Sequence, residues 1–137
     1  LYQRIHDSFH INGRIPQKDD YERIAKADFT FFFREKRRSS DAGFPTKLAE
    51  SFAVGTPVIT NETGSINKYL FNHKNGLLIQ ELSVNNIIDA LHYIRSIDDD
   101  EYQEMRVAAR TVAERSFDYR SYVNGLKDFF MEGRNGK

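Results

Sequence analysis

The chain has 137 residues, 39% of them hydrophobic and 29% charged, the make-up of one ordinary globular domain with enough chain for an apolar core. Twenty basic residues cancel twenty acidic ones, so no excess charge points to nucleic acid or to an anionic membrane as partner. There is no cysteine, which excludes disulfides and thiolate metal sites and suits a reducing, cytoplasmic compartment, and the apolar runs are only a few residues long, too short to span a bilayer.

The chain opens on Leu1, and "LYQRIHDS" reads as the end of a helix, so a domain cut from a longer polypeptide is expected. "SFHING" reads as a short strand closed by Gly13. Pro16 precedes a helix from Lys18 to Ala27, with Tyr21, Ile24 and Ala25 on one face. "FTFFF", Phe29 to Phe33, reads as a strand buried on both faces of a parallel sheet. A polar loop, "REKRRSSDAG", follows. Pro45 suits the first turn of a helix that runs to Val54 and stops at Gly55. Pro57 then leads the strand "PVIT", "NETGSINKYL" holds a turn and a short helix, and "NGLLI" is a further strand. Three amphipathic helices finish the chain. The first is lined by Val84, Ile87, Ile88, Leu91 and Ile94, the second by Tyr102, Met105, Ala109 and Val112, and the third by Tyr122, Val123, Leu126, Phe129 and Phe130. The last five residues, 133–137, are expected to fray, leaving 1–132 as the domain.

Strands alternating with helices predict an α/β domain with a mostly parallel sheet and helices on both faces. Ligands of such sheets bind beyond the carboxyl ends of the strands. The loops expected there are Ile15–Gln17, Arg34–Gly43 and Asn61–Ser65. The stretch "AGFPTKLAESFAVGTPVIT" carries the strongest chemical signal. A helix starting near Pro45 leaves its first amides, from Thr46 onward, unpaired and at the positive end of the helix dipole, which suits a phosphate or diphosphate. Gly43 keeps side chains out of the approach, Thr46 offers a hydroxyl and Lys47 a cation. Glu50, one turn further on, can accept hydrogen bonds from vicinal hydroxyls of a ribose. An equally good reading takes Lys47 and Glu50 as an exposed i,i+3 pair, and Gly43 and Pro45 as plain turn residues.

The stretch from Ala42 to Ile79 resembles the signature region of the retaining family-4 (group 1) glycosyltransferases, enzymes with two Rossmann-like domains. The match lies at Gly43-Phe44, Glu50, Gly55, Pro57-Val58-Ile59, Gly64 and Asn75-Gly76-Leu77-Leu78. "FHINGRI", "YERIAKADFTFFF" and "MRVAARTVAERSFDY" resemble the flanking parts of the donor-binding domain. The resemblance implies that Glu50 is the second acid of the family's E-x₇-E motif, contacting ribose, and that the backbone around Phe44, Pro45, Thr46 and Lys47 holds the donor diphosphate. It implies a nucleotide-diphosphate sugar as donor, a glycan or lipid-linked acceptor, and no divalent metal. The first acid of the motif, which in the family touches the donor sugar, falls at Ala42 and is absent; the catalytic residue is left open, with Asp41, one position out of register, as the candidate to stand in for it. "AGFPTK" and "FFFRE" mark a subgroup associated with surface polysaccharide synthesis, in which Lys47 supplies a cation and Arg34 and Glu35 leave the sheet's edge beside the ligand. Ser65 is a further donor-binding candidate. The resemblance also implies that the acceptor-binding N-terminal domain and the first strand of this domain lie outside the chain, so transfer by this segment alone is not expected. The same architecture serves sugar-nucleotide epimerases, and the missing acid leaves a non-catalytic nucleotide-binding or scaffold module as another reading.

Nothing else in the chain competes. No metal site is expected: His6 and His10 stand four residues apart but fall in a segment read as a helix end followed by a strand, and His73 and His92 are isolated. "REKRR" includes Glu35 and no aromatic platform, and reads as a solvated loop. An incomplete sheet would expose an unpaired edge, through which a homodimer could form.

Overall fold

The structure, a computed structural model, describes residue 8 and residues 10–135. Helix α1, Gln17–Lys26, starts behind Pro16, with Asp19 and Asp20 in its first turn and Arg23 and Lys26 in its last, the charge order that the helix dipole favours. Strand β1 is Thr30–Phe31. A five-residue helix α2, Arg38–Ala42, leads to α3, Thr46–Ala53. After β2, Val58–Asn61, come a 3-10 turn at Ile66–Lys68 and β3, Gly76–Ile79. Helix α4, Val84–Ser96, is capped by the Ser83 hydroxyl, which accepts from the Asn86 N–H. Helix α5, Asp99–Ser116, is capped by Asp98, which accepts from the Glu101 N–H, and has three acids in its first turn. A 3-10 turn at Tyr119–Tyr122 leads into α6, Val123–Asn135.

The three strands form one parallel sheet in the order β1-β2-β3, with Thr30 beside Val58 and Val58 beside Gly76. All four residues of the central strand are buried. Side-chain alternation along the strands makes two cores, one on each face. Leu48 and Phe52 of α3, Val58, and Ala109 and Ala113 of α5 pack together on one face. Ile59, Leu77 and Ile79 pack with Ile87, Ala90 and Ile94 of α4 on the other. The helices therefore cover both faces, as the α/β reading predicts.

Four local expectations change. Residues 10–13 are not strand, and Phe9 lies outside the described residues. A strand needs a neighbour for its backbone groups, and among the described residues β1 is bonded only to β2, with Phe31 of β1 64% exposed. "FTFFF" forms a ladder only at Thr30–Phe31, extended by the bond from Phe32 N–H to Ile59 O. The polar loop after it contains α2. The apolar residues of α6 do not reach either core: Leu126, Phe129 and Phe130 are all more than half exposed.

The two edges of the sheet differ. On β3, the Leu78 N–H donates to Asn72 Oδ1 at 3.0 Å, and the Gly76 carbonyl accepts from the His73 N–H at 2.9 Å. These contacts close the β3 edge at two backbone groups. Gly76 itself cannot carry a side chain, because a Cβ there would meet Val58 O at 2.2 Å.

Candidate functional site

Helices α1 and α3 each precede a parallel strand, so both begin at the carboxyl rim of the sheet. Pro45 is the N-cap of α3, and among the described residues no side chain caps this end. Thr46 is exposed and Pro45 is buried. Phe44 packs its ring on Tyr69 and Phe117, both with centroids 5.4 Å off. Gly43 has an ordinary φ of −110°, and a Cβ there would meet nothing closer than 3.6 Å. The backbone geometry by itself does not demand glycine at that position.

Lys47 and Glu50 lie together, and a residue of α1 joins them. Lys47 Nζ is 2.9 Å from Asp20 Oδ2 and 3.0 Å from Glu50 Oε2. The hydrogen bond to Asp20, aided by Glu50, raises the Lys47 pKa above its ordinary value against the opposing effect of burial. Lys47 therefore stays protonated and is already shared between two carboxylates. An open groove lined by residues 11–17 with Asp20 and Arg23 borders this cluster and contains the expected rim loop Ile15–Gln17.

Arg34 organises the rim from the β1 side. Its N–H donates to Asn61 Oδ1 at 2.9 Å, and its carbonyl accepts from Asn61 Nδ2 at 2.8 Å. Its guanidinium donates to the Gly43 carbonyl at 3.0 Å, reaching the loop ahead of α3. Glu35 is exposed and pairs with Arg37. Asp41 accepts from the Gly64 N–H at 3.0 Å. Gly64 has φ +57°, and a Cβ there would stand 2.9 Å from the Asp41 carbonyl, so glycine is required on both counts. Ser65 leads the following 3-10 turn and makes no side-chain cap.

The structure thus gathers Arg34, Gly43, Asp41 and the Asn61–Ser65 loop into one hydrogen-bonded rim, and Lys47 with Glu50 into a neighbouring ion cluster. Sequence reasoning missed Asp20, and it placed Asn61 and Thr63 on the rim only as part of the Asn61–Ser65 loop, with no role for either side chain. The Thr63 hydroxyl is buried on the rim loop and has no hydrogen-bond partner among the described residues. Asp20 and Asn61 each act on a residue 27 positions away, and no local pattern signals such a pairing.

The family model for glycosyl transferases group 1 matches residues 3–112. The chain belongs to that family. Among solved structures, sucrose-phosphate synthase from Thermosynechococcus elongatus matches with a TM-score of 0.58 and 19% identity, over 69% of this chain and 23% of that one. At that identity the likeness concerns the fold, and the group 1 chain spans under a quarter of that protein's length. No curated protein matches the sequence. The match takes in all three strands and the whole rim of this group 1 domain, while α6 lies beyond it. Among the described residues, no helix is long and apolar enough to cross a membrane.

Proposed function

We propose that this group 1 domain binds the donor nucleotide of a retaining glycosyltransferase that moves a sugar from a nucleotide-diphosphate sugar to a glycan or lipid-linked acceptor. The observation that carries the reading is the front of α3: an uncapped helix start at the carboxyl rim, with the Glu50 carboxylate one turn behind it. The free amides of Thr46 and Lys47 and the helix dipole suit two phosphoryl groups. As the bond to the sugar breaks, negative charge grows on the diphosphate, and fixed dipoles in place before the reaction stabilise it. Arg34 stands close enough to add a guanidinium, through the hydrogen-bonding capacity left beyond its Gly43 contact. Glu50 accepts from the ribose hydroxyls. Ser65 and Glu35 lie on the same rim as further polar groups toward the donor. No resident metal takes part in this scheme.

An acceptor-binding domain outside this segment completes the enzyme in this reading, and its location is cytoplasmic, at the inner face of a membrane. The segment alone holds nucleotide weakly and transfers nothing. Self-association, where it occurs, uses the β1 edge, because two groups of the β3 edge are already bonded.

A second reading has its own support. Asp41, the acid next to Ala42 in the chain, accepts from the Gly64 N–H. A domain without a free acid there fits a non-catalytic nucleotide-binding module. Labelled-sugar transfer by the full-length polypeptide, with Glu50→Ala beside it, separates the readings. Transfer that falls at least tenfold in Glu50→Ala supports the enzyme. Nucleotide binding with no transfer from any donor supports the module, and unchanged transfer in Glu50→Ala removes the ribose assignment.

A further inference from the structure

Resting on the donor-site reading above, we propose that Lys47 serves the Glu50 carboxylate and not the diphosphate, and that Asp20 is the positioning residue that holds it there. Lys47 Nζ bridges Asp20 Oδ2 at 2.9 Å and Glu50 Oε2 at 3.0 Å. One ammonium between two carboxylates leaves the cluster with a net negative charge. Such a cluster offers hydrogen-bond acceptors and repels an anion, so it suits a diol and not a phosphate. The diphosphate is then left to the amides at the front of α3 and to Arg34.

The arrangement has a division of labour. A glutamate on a helix has three side-chain torsions to settle, and an ion pair to the residue three positions earlier restricts them. With one oxygen on Lys47, Glu50 keeps the acceptor capacity of its other lone pairs for vicinal hydroxyls. Lysine alone would not stay in place, because its four-carbon stem and compact charge follow the strongest nearby anion. An incoming diphosphate is such an anion. Asp20, anchored in the first turn of α1, counters that pull from a second helix. The side chains of Lys47, Asp20 and Glu50 are 38%, 39% and 27% exposed, so a ligand reaches them without unfolding the domain.

The test is calorimetric titration of the full-length polypeptide with three probe classes. They are uridine, adenosine and guanosine diphosphates, their 2′,3′-dideoxy counterparts, and inorganic pyrophosphate. Wild type is expected to prefer the best ribonucleotide over its dideoxy form by about tenfold, the worth of one charge-assisted hydrogen bond. Lys47→Met and Asp20→Ala are each expected to shrink that preference to about twofold, and to leave pyrophosphate affinity within about twofold of wild type. Asp20→Asn keeps the shape of the side chain and carries the test should either variant fail to fold. An equal fall for all three probes in Lys47→Met places the lysine on the phosphates and overturns the inference. Wild-type discrimination retained in both variants makes the cluster a helix brace and also overturns it. Wild type that binds none of the probes removes the donor-site reading itself.

Discussion

Asn61 grips Arg34 at both ends of that residue's backbone, accepting from its N–H at 2.9 Å and donating to its carbonyl at 2.8 Å. The amide replaces the ladder that β1 and β2 no longer share beyond Phe32, and it is 5% exposed. Asn61→Ala leaves two backbone groups without their protein partners and opens a small void. The expected loss is about 2–3 kcal/mol, read as a lower denaturant midpoint with an unchanged slope. A loss under about 0.5 kcal/mol would mean that water replaces the amide at no cost.

The Gly64 turn and Asp41 form a second pair with separable terms. Gly64→Ala adds a Cβ 2.9 Å from the Asp41 carbonyl at a positive φ, and is expected to cost about 2 kcal/mol. Asp41→Ala removes one acceptor and is expected to cost about 1 kcal/mol. Asp41→Asn keeps an oxygen for the Gly64 N–H and is expected to unfold with wild type in a thermal melt. If Asp41→Asn folds normally and abolishes sugar transfer, the aspartate has a chemical role beyond this turn.

Tyr93 sets a pH limit. Burial, together with the hydrogen bond to Glu101, raises its pKa from 10.0 to about 12. Between those values the unfolded chain gives up the phenol proton while the folded chain keeps it. The stabilisation is complete below pH 10 and disappears as pH rises through about 12. Denaturant titrations across that window are expected to show stability falling with pH, and a shallower fall in Tyr93→Phe. Ultraviolet titration of the folded protein reads the same phenol directly, as a late-titrating tyrosine absent from the variant.

Asn72 guards the outer edge of β3. Without its side chain the Leu78 N–H is open to another chain. Asn72→Ala is expected to self-associate more strongly than wild type in sedimentation velocity at the same concentration, with an unchanged circular dichroism spectrum. Equal association states would show that the turn at 73–75 shields the edge unaided.

The elements that carry strong local chemistry are visible in the sequence. Pro45 and Gly55 bound α3 to within two residues of its ends, and the apolar runs at Val58 and Leu77 are strands. The paired length of β1 is not visible in the run of phenylalanines: only the first two of the four β2 residues pair with it, and the Asn61 side chain takes over at Arg34. Helix α2 is invisible because "RSSDA" has no apolar period. The outward face of α6 shows the reverse case: the amphipathic pattern is present, yet no core stands behind it among the described residues. At the rim, the Lys47–Glu50 ion pair is legible from its i,i+3 spacing, whereas Asp20 and Asn61 reach across 27 positions and depend on how helices and strands are juxtaposed.

The Phe44–Tyr69–Phe117 triangle bears on where this domain can be cut. Phe117 lies past residue 112, where the family likeness stops, and so does the core residue Ala113. A version trimmed to that boundary would keep every strand but strip the loop ahead of α3 of one of its two aromatic props. The shortest self-sufficient piece therefore extends at least to Phe117, and a truncation series should show the drop in cooperativity there and not at the alignment's end.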